Sequence, residues 1–256
     1  RTWIPIAPYL GCFQSLTRSV EDAARLYVHG LFQSPRRNIE KMAETVSGSR
    51  YQRLHYMLSE STWDRGNVRR QLIADANVHS AASALLIDES AFAKKGDLSA
   101  GVARQWNGRL GKIDNSQVGV FAAMVRDRVA ALVEGELYVP EECFADPQRG
   151  REAGIPEEME FRTKGEIALS MIHRLRREGL RAYTVFDAGY GHLPWLLRAL
   201  EGEGETFLAE VYSDQTIYLS DPAPAVPARQ SARGKAPCRL QAQPPPLTVA
   251  AWVAAQ

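Results

Sequence analysis

Cysteine is scarce in this chain, and its spacing excludes two kinds of site. The 256 residues contain three cysteines, which lie far apart at Cys12, Cys143 and Cys238. An odd number of widely separated cysteines provides neither a disulfide framework nor a CxxC metal site, so a reducing cytoplasm is the expected compartment. The five histidines also lack the spacing of zinc ligands. We therefore do not expect a zinc site.

Long apolar runs and targeting signals are also missing. No stretch approaches the ~18 consecutive apolar residues of a membrane-spanning helix, and neither a signal peptide nor a phosphate-binding P-loop is visible. The hydrophobic content of 45% and the charged content of 24% are typical of a soluble globular protein. The sequence predicts one large domain or two ordinary ones, without a membrane partner.

The net charge of +1 does not by itself indicate a nucleic-acid partner, but the charges are unevenly distributed. Residues 1–80 contain eleven Lys and Arg against seven Asp and Glu, and residues 134–166 contain ten acidic against four basic residues. This separation indicates either a basic face with an acidic flank or an ordinary solvated surface.

Residues 1–80 have helical periodicity. Apolar positions predict four short helices, the second of which is expected to open at residue 34 and to carry Arg36 and Arg37 near its start. Short helices with exposed arginines among them are typical of a helix-turn-helix-like DNA-binding domain. An ordinary helical bundle with solvated arginines fits the pattern equally well.

Two later segments each run from apolar and β-branched residues into an aspartate. Residues 84–88 end at Asp88 and residues 182–187 end at Asp187, and both are followed by small or polar residues. Carboxylates at the edge of a sheet are hard oxygen ligands suited to Mg²⁺, and a pair of them would form half of a two-metal site for phosphodiester chemistry. Alternatively, each aspartate only caps the following turn.

The order of the predicted elements brings these aspartates together. Three strands come first, then a helix opened by the capping box Thr163–Glu166, then the strand to Asp187, a helix and a last strand. This is the ribonuclease H-like order, a mixed α/β sheet in which the first and fourth strands are neighbours. Adjacent strands lie roughly 4.8 Å apart, so both carboxylates would reach the same ions. The core is predicted to cover residues 81–211.

Residues 212–256 differ in composition from the core. They hold seven of the 14 prolines, interleaved with basic residues that include Arg233 and Lys235. We expect either a disordered proline-rich linker or the start of an inserted subdomain that contacts DNA phosphates.

Three runs around the first aspartate carry a family resemblance. They are LIDESAFAKKG at residues 86–96, GVARQ at 101–105 and GKIDNSQVGVF at 111–121. Together with DAGYG at residues 187–191, they closely resemble the DDE-superfamily transposases of bacterial insertion sequences. The likeness extends over nearly the whole chain.

The resemblance implies a DNA transposase, a metal-dependent endonuclease that cuts and transfers the strands of insertion-sequence ends. Asp88 and Asp187 would hold Mg²⁺ or Mn²⁺ as the first two catalytic acids. The implied partners are double-stranded DNA and a second copy of the chain in a homodimer, at the bacterial nucleoid. Just beyond the first strand, Lys94, Lys95 and Arg104 are expected either to contact DNA phosphates or to be solvated loop residues.

The family's third catalytic acid is a glutamate on a later helix, and no residue here matches it. The chain also begins without a methionine, so we expect a fragment of a longer protein that binds DNA weakly and does not cut it. The competing interpretation is a catalytically inactive DNA-binding remnant or regulator of transposition. An aspartyl-phosphate phosphohydrolase would need an aspartate two residues after Asp88, where Ser90 stands instead.

Overall fold

The computed structural model describes residues 6–14, 19–78, 83–229 and 235–256. Arg233, in the basic run of the proline-rich segment, lies outside the described residues. The chain forms two compact units. One comprises residues 1–84, 121–136 and 170–182, and the other comprises residues 85–120, 137–169 and 183–256.

Short helices form the beginning of the first unit. They are α1 (Ala7–Leu10), a 3-10 turn (Gly11–Phe13), α2 (Glu21–Gln33), α3 (Ile39–Thr45), α4 (Tyr51–Ser59) and α5 (Arg65–Val78). Leu26, Met42 and Leu54 come from α2, α3 and α4 and are buried in one apolar cluster. Gly30 lets α2 and α3 approach closely, because an added Cβ would lie 2.6 Å from Met42 Cγ.

The predicted start of α3 is wrong. The helix begins at Ile39, and the Asn38 side chain caps it by accepting a hydrogen bond from the Lys41 backbone N–H at 2.8 Å. Asparagine is among the strongest N-cap residues, so the helix starts after it. Arg36 and Arg37 consequently lie in the loop before α3.

A six-stranded sheet follows the helices along the chain. Its strands are β1 (Ala84–Ala93), β2 (Val102–Asn107), β3 (Lys112–Arg126), β4 (Val129–Tyr138), β5 (Tyr183–Phe186) and β6 (Phe207–Ala209). The order is β2-β3-β1-β5-β6, and β4 also pairs with β3. Without β2, the order β4-β3-β1-β5-β6 is the ribonuclease H-like arrangement, and the predicted fold class is confirmed.

The structure corrects the sequence prediction around the first aspartate. β1 continues to Ala93, so Asp88 lies inside the strand rather than at its end. β2 was missed, because half of its six residues are polar and it lies between Gly101 and Gly111, which have positive φ angles of 73° and 64°. Positive φ is the usual reason for glycine at such positions, and here the two glycines bracket β2 and its turn into β3.

Four helices lie between residues 147 and 202, and a 3-10 turn (Glu141–Cys143) precedes them. They are α6 (Pro147–Glu152), α7 (Lys164–Arg177), α8 (Ala188–Gly191) and α9 (Pro194–Gly202). Leu85 and Ile87 of β1, Phe186 of β5 and Leu196 of α9 are buried. None of the helices in the described part of the chain is long and apolar enough to cross a membrane.

Charged side chains connect α5, β4 and α7 within the first unit. Arg69 of α5 contacts Glu134 and Glu178, and Arg174 of α7 contacts Glu134 and Glu136. The Glu134 side chain, which both arginines share, is only 10% exposed. Its ion pairs with Arg69 and Arg174 are therefore shielded from solvent more than ordinary surface pairs.

The proline-rich segment has its two ends joined. A short antiparallel pair links β7 (Thr216–Ile217) to β8 (Leu247–Thr248), and Ala225 bridges to Gln241. A last helix, α10 (Val249–Ala254), follows. The two ends of the segment are therefore paired with each other, which an extended linker would not show.

The predicted capping box at the start of α7 is confirmed. The Glu166 backbone N–H donates to Thr163 Oγ1 at 3.2 Å, and the Thr163 backbone N–H donates to the Glu166 carboxylate at 2.7 Å. The hydrogen bonds from the backbone and hydroxyl of Thr163 lower the pKa of Glu166 below its ordinary value of 4.5.

Removing this cap should destabilise the fold. We expect Thr163→Ala to lower the free energy of unfolding by about 1 kcal/mol, measured by urea denaturation at pH 7, while Thr163→Ser keeps most of it. Because the pKa of Glu166 is lowered by folding, its ionisation stabilises the protein above pH 4.5, and this contribution is lost as the pH falls further. Equal stability of all three proteins at pH 7 would contradict the cap.

Candidate active site

The strand β1 presents Asp88 on its solvent-accessible face. Leu85, Ile87 and Ala91 are buried, whereas Leu86 and Asp88 are exposed. This alternation follows from the two-residue period of a strand. Burial of the first set fixes which way the strand faces, and thereby fixes where the Asp88 carboxylate points.

The strand β5 ends directly before Asp187, which occupies the N-cap position of α8. Its side chain accepts no capping hydrogen bond, so the alternative role as a simple helix cap is not supported. Gly189 leaves space beside the carboxylate, because an added Cβ there would lie 3.0 Å from Asp187 Oδ1.

The charge of Asp187 acts on the Asp88 carboxylate. Asp88 belongs to β1 and Asp187 directly follows β5, and these two strands are neighbours in the sheet. The pKa of Asp88 is raised above its ordinary value of 3.8, mainly by partial burial. The negative charges of Asp187 and Glu89 raise it further, whereas the hydrogen bond from the Glu89 backbone N–H lowers it. Neighbouring like charges of this kind favour binding of a cation or a proton.

Glu89 lies on the other face of β1 and has its own partner. The Lys164 ammonium, at the first residue of α7, lies 2.7 Å from the Glu89 carboxylate and 5.4 Å from the centre of the Tyr138 ring. Both charged side chains are about one third exposed or less. Lys164 thus holds the residue next to Asp88 to the start of α7.

Tyr190, in the DAGYG run that follows β5, is a buried residue of α8. It is 3% exposed, and its ring packs against Phe186 at a centroid distance of 5.8 Å. Its hydroxyl has no hydrogen-bond partner within the described structure. Burial first, and then the charges of Glu89, Asp88 and Asp187, raise its pKa, which places the hydroxyl in the field of all three carboxylates.

The residues present fit a magnesium ion held by two carboxylates. Mg²⁺ is usually bound through one or two carboxylates and keeps several waters, and Asp88 and Asp187 supply such a pair. Over the residues that the structure describes, no group of three or more His, Cys, Asp or Glu side chains lies close enough to hold a metal ion. The third acid that the resemblance implies is therefore not found among them.

The predicted DNA-contacting residues lie in two places. Lys94 and Lys95 follow the end of β1, and Arg104 is exposed on β2. The Lys94 backbone N–H donates to the Asn115 carbonyl at 2.9 Å, and Asn115 is the register partner of Arg104. These three basic residues therefore belong to one local surface.

Arg36 and Arg37 are exposed in the loop before α3. Arg37 Nε donates to the Leu31 carbonyl at 3.0 Å, and the Arg36 carbonyl accepts a hydrogen bond from the Ser34 hydroxyl at 2.7 Å. The loop that presents both arginines is thus held by local hydrogen bonds.

A family model described as "DDE superfamily endonuclease" matches residues 8–256. The chain belongs to this family. The resemblance inferred from the runs around Asp88 is thereby confirmed.

This DDE-family chain is also similar to individual known proteins. It is 32% identical over 178 residues to "Probable transposase for insertion sequence element IS701" of Microchaete diplosiphon, a match that covers 68% of the chain and 44% of that protein. The chain thus spans less than half the length of this relative. The "Drosophila P element transposase strand transfer complex" aligns over 74% of this chain and 37% of the solved chain, at 10% identity and a TM-score of 0.22. The fold assignment rests on the strand order and not on this alignment.

The glycines of the DAGYG run hold the second aspartate in place. At Gly191, an added Cβ would lie 1.8 Å from the Glu210 carbonyl oxygen, which follows β6. The Glu210 backbone N–H donates to the Phe186 carbonyl at 3.1 Å. The backbone of α8 therefore touches the end of β6, and only glycine permits that approach.

We expect Gly191→Ala to lower the free energy of unfolding by about 1–3 kcal/mol, the usual range for an overpacked site. The matched control is Gly202→Ala at the end of α9, where an added Cβ meets nothing within 4 Å; alanine there should be neutral or stabilising by up to about 1 kcal/mol. Thermal denaturation of both variants measures the difference, and equal midpoints would refute the close contact.

Proposed function

We propose that this chain is the part of a DDE transposase that holds the first two metal-binding acids, and that it acts on the DNA ends of an insertion sequence. The observation that supports this most directly is the position of Asp88 within β1 and of Asp187 directly after the neighbouring strand β5, with the charge of Asp187 contributing to the raised pKa of Asp88, within a chain of the DDE endonuclease family. The relative named as a transposase supports the choice of reaction.

Asp88 and Asp187 would bind Mg²⁺ or Mn²⁺ through their carboxylates. The bound ions would supply activation of water, or later of a DNA 3′-hydroxyl, and stabilisation of the leaving oxygen. The chain's own contribution is to keep the two carboxylates at one edge of the sheet. No protein nucleophile is required.

Residues around the pair would support its geometry. The Lys164–Glu89 ion pair keeps β1 next to the start of α7, and the close contact at Gly191 keeps α8 on β6. The buried Tyr190 hydroxyl can donate a hydrogen bond toward the carboxylate side of the site, where it is exposed to the charges of Asp88 and Asp187.

DNA would be held by basic residues outside the metal site. We assign phosphate contacts to Lys94, Lys95 and Arg104, since they form one exposed or half-exposed surface near the end of β1. Within a helical domain over residues 1–80, Arg36 and Arg37 would contact double-stranded DNA. The proposal further includes the core over residues 81–211, an inserted subdomain beginning at 212–256, a homodimer on DNA and a location at the bacterial nucleoid.

A second candidate is a non-catalytic DNA-binding regulator. The lack of a third potential ligand near Asp88 and Asp187 among the described residues favours it for the chain on its own. Metal binding and strand cutting separate the two candidates, because a regulator needs neither.

Mn²⁺ should stabilise the folded chain through the aspartate pair. At a metal concentration ten times the dissociation constant, the stabilisation is about 1.4 kcal/mol, or an increase of about 3–6 °C in the midpoint of thermal unfolding. We expect Asp88→Asn and Asp187→Asn to abolish this increase. The control Asp214→Asn removes an exposed carboxylate elsewhere and should keep it; loss of the increase in all three variants would contradict the site.

The 256-residue chain by itself should not nick DNA that carries the ends of its insertion sequence, because two carboxylates hold the second ion poorly. A plasmid-relaxation assay with Mg²⁺ or Mn²⁺ measures this. Nicking that Asp88→Ala abolishes would overturn the predicted inactivity and support the site. Nicking that persists in Asp88→Ala would instead reject the site.

A further inference from the structure

The hairpin formed by β2 and β3 exposes apolar side chains that a folded surface normally covers. Trp106 and Ile113 are each 57% exposed, and Leu110 in the turn between the strands is 49% exposed. Trp106 and Ile113 are directly opposite in the antiparallel register. Directly opposite residues point to the same face, so they form one apolar platform.

The opposite face of the hairpin is buried and fixed. Asn107 and Ser116 are at most 1% exposed, and the Asn107 amide donates to the Ser116 hydroxyl at 3.0 Å. The Gln105 amide donates to the Ser116 carbonyl at 2.9 Å. Because these contacts hold the strands from one side, the Trp106 side is presented in a defined orientation.

Basic residues surround this platform. Residues 94–117 contain five Lys and Arg against two Asp, a local charge of +3. Arg104 shares the face of Trp106, since it lies two residues away on the same strand, and its register partner Asn115 also binds the Lys94 and Gly96 carbonyls through its side chain. The loop with Lys94 and Lys95 is thereby tied to the hairpin.

The chemistry of this surface selects a nucleic acid with an accessible base. An aromatic ring among cations is the arrangement that binds single-stranded nucleic acids, where the ring stacks on a base and the cations hold the backbone. Three apolar side chains fall far short of the ~1,200 Å² that a stable protein–protein interface buries. The bases inside a paired duplex are already stacked on each other and offer no free face.

We propose that Trp106, backed by Ile113, is a stacking site for an unpaired DNA base whose flanking phosphates are bound by Lys94, Lys95 and Arg104. The inference rests on the proposed action on DNA and adds a strand-separated substrate to it. Along β1, the five residue-to-residue steps from Asp88 to Ala93 span about 16 Å, which is about five nucleotides of DNA. The unpaired base therefore lies several nucleotides from the phosphate at the acidic pair.

The test compares a fluorescent 30-nucleotide single strand with a duplex of the same sequence, by anisotropy with the whole 256-residue chain. We expect Trp106→Ala to weaken binding of the single strand about 5- to 140-fold, the effect of losing one stacked base, and to change duplex binding less than twofold. Trp106→Phe should restore most of the loss. Trp252→Ala is the matched control, since Trp252 is 39% exposed on α10, and should bind both DNAs as the unchanged chain does.

The outcomes separate the stacking site from the proposed function. The unchanged chain is expected to bind both DNAs. If Trp106→Ala then binds both with unchanged affinity, or loses affinity for the single strand and the duplex by the same factor, the stacking site is rejected and the proposed action on DNA stands. Failure of the unchanged chain to bind either DNA overturns both. Conversion of a dimer into a monomer by Trp106→Ala, seen by light scattering, would make the hairpin a protein interface and likewise reject the stacking site.

Discussion

The proximity of two like charges is the constraint on which the rest of this structure depends. Partial burial is the main cause of the raised pKa of Asp88, and the negative charge of Asp187 adds to it. A folded chain tolerates such repulsion only where other contacts keep the strands together. The buried side chains of Leu85, Ile87 and Phe186 supply those contacts on the two strands that carry the carboxylates. Their burial stabilises the sheet and offsets the repulsion between the two charges.

Three further contacts keep the acidic edge rigid. Lys164 neutralises Glu89 on the reverse side of β1, which limits the negative charge that accumulates around Asp88. Gly191 brings α8 against the end of β6, and the buried Tyr190 ring packs against Phe186 of β5. None of these contacts is in the acid pair itself. Each instead determines where a strand or helix ends relative to the carboxylates. Packing contacts of this kind hold ligating side chains in a fixed geometry.

The central part of the sheet was predictable from sequence because its strands carry runs of apolar and β-branched residues. The order around Asp88 and Asp187 and the capping box at Thr163 followed from local patterns. The β2 strand was not predictable in that way, since its stability comes from pairing with β3 and from the buried Asn107–Ser116 hydrogen bond, which join residues nine apart. The start of α3 was missed because Asn38 competes with Ser34 as the cap. The exposure of Trp106 likewise depends on tertiary register.

The joined ends of the proline-rich segment affect how this family can vary in length. Because β7 and β8 close the excursion at its base, residues added between them lengthen a loop whose ends are already held together. Each doubling of such a loop costs only about 0.6 kcal/mol of closure entropy. Large inserts can therefore accumulate at this position with little effect on the sheet, whereas an insertion of one residue in β1 would reverse the faces of Asp88 and Glu89.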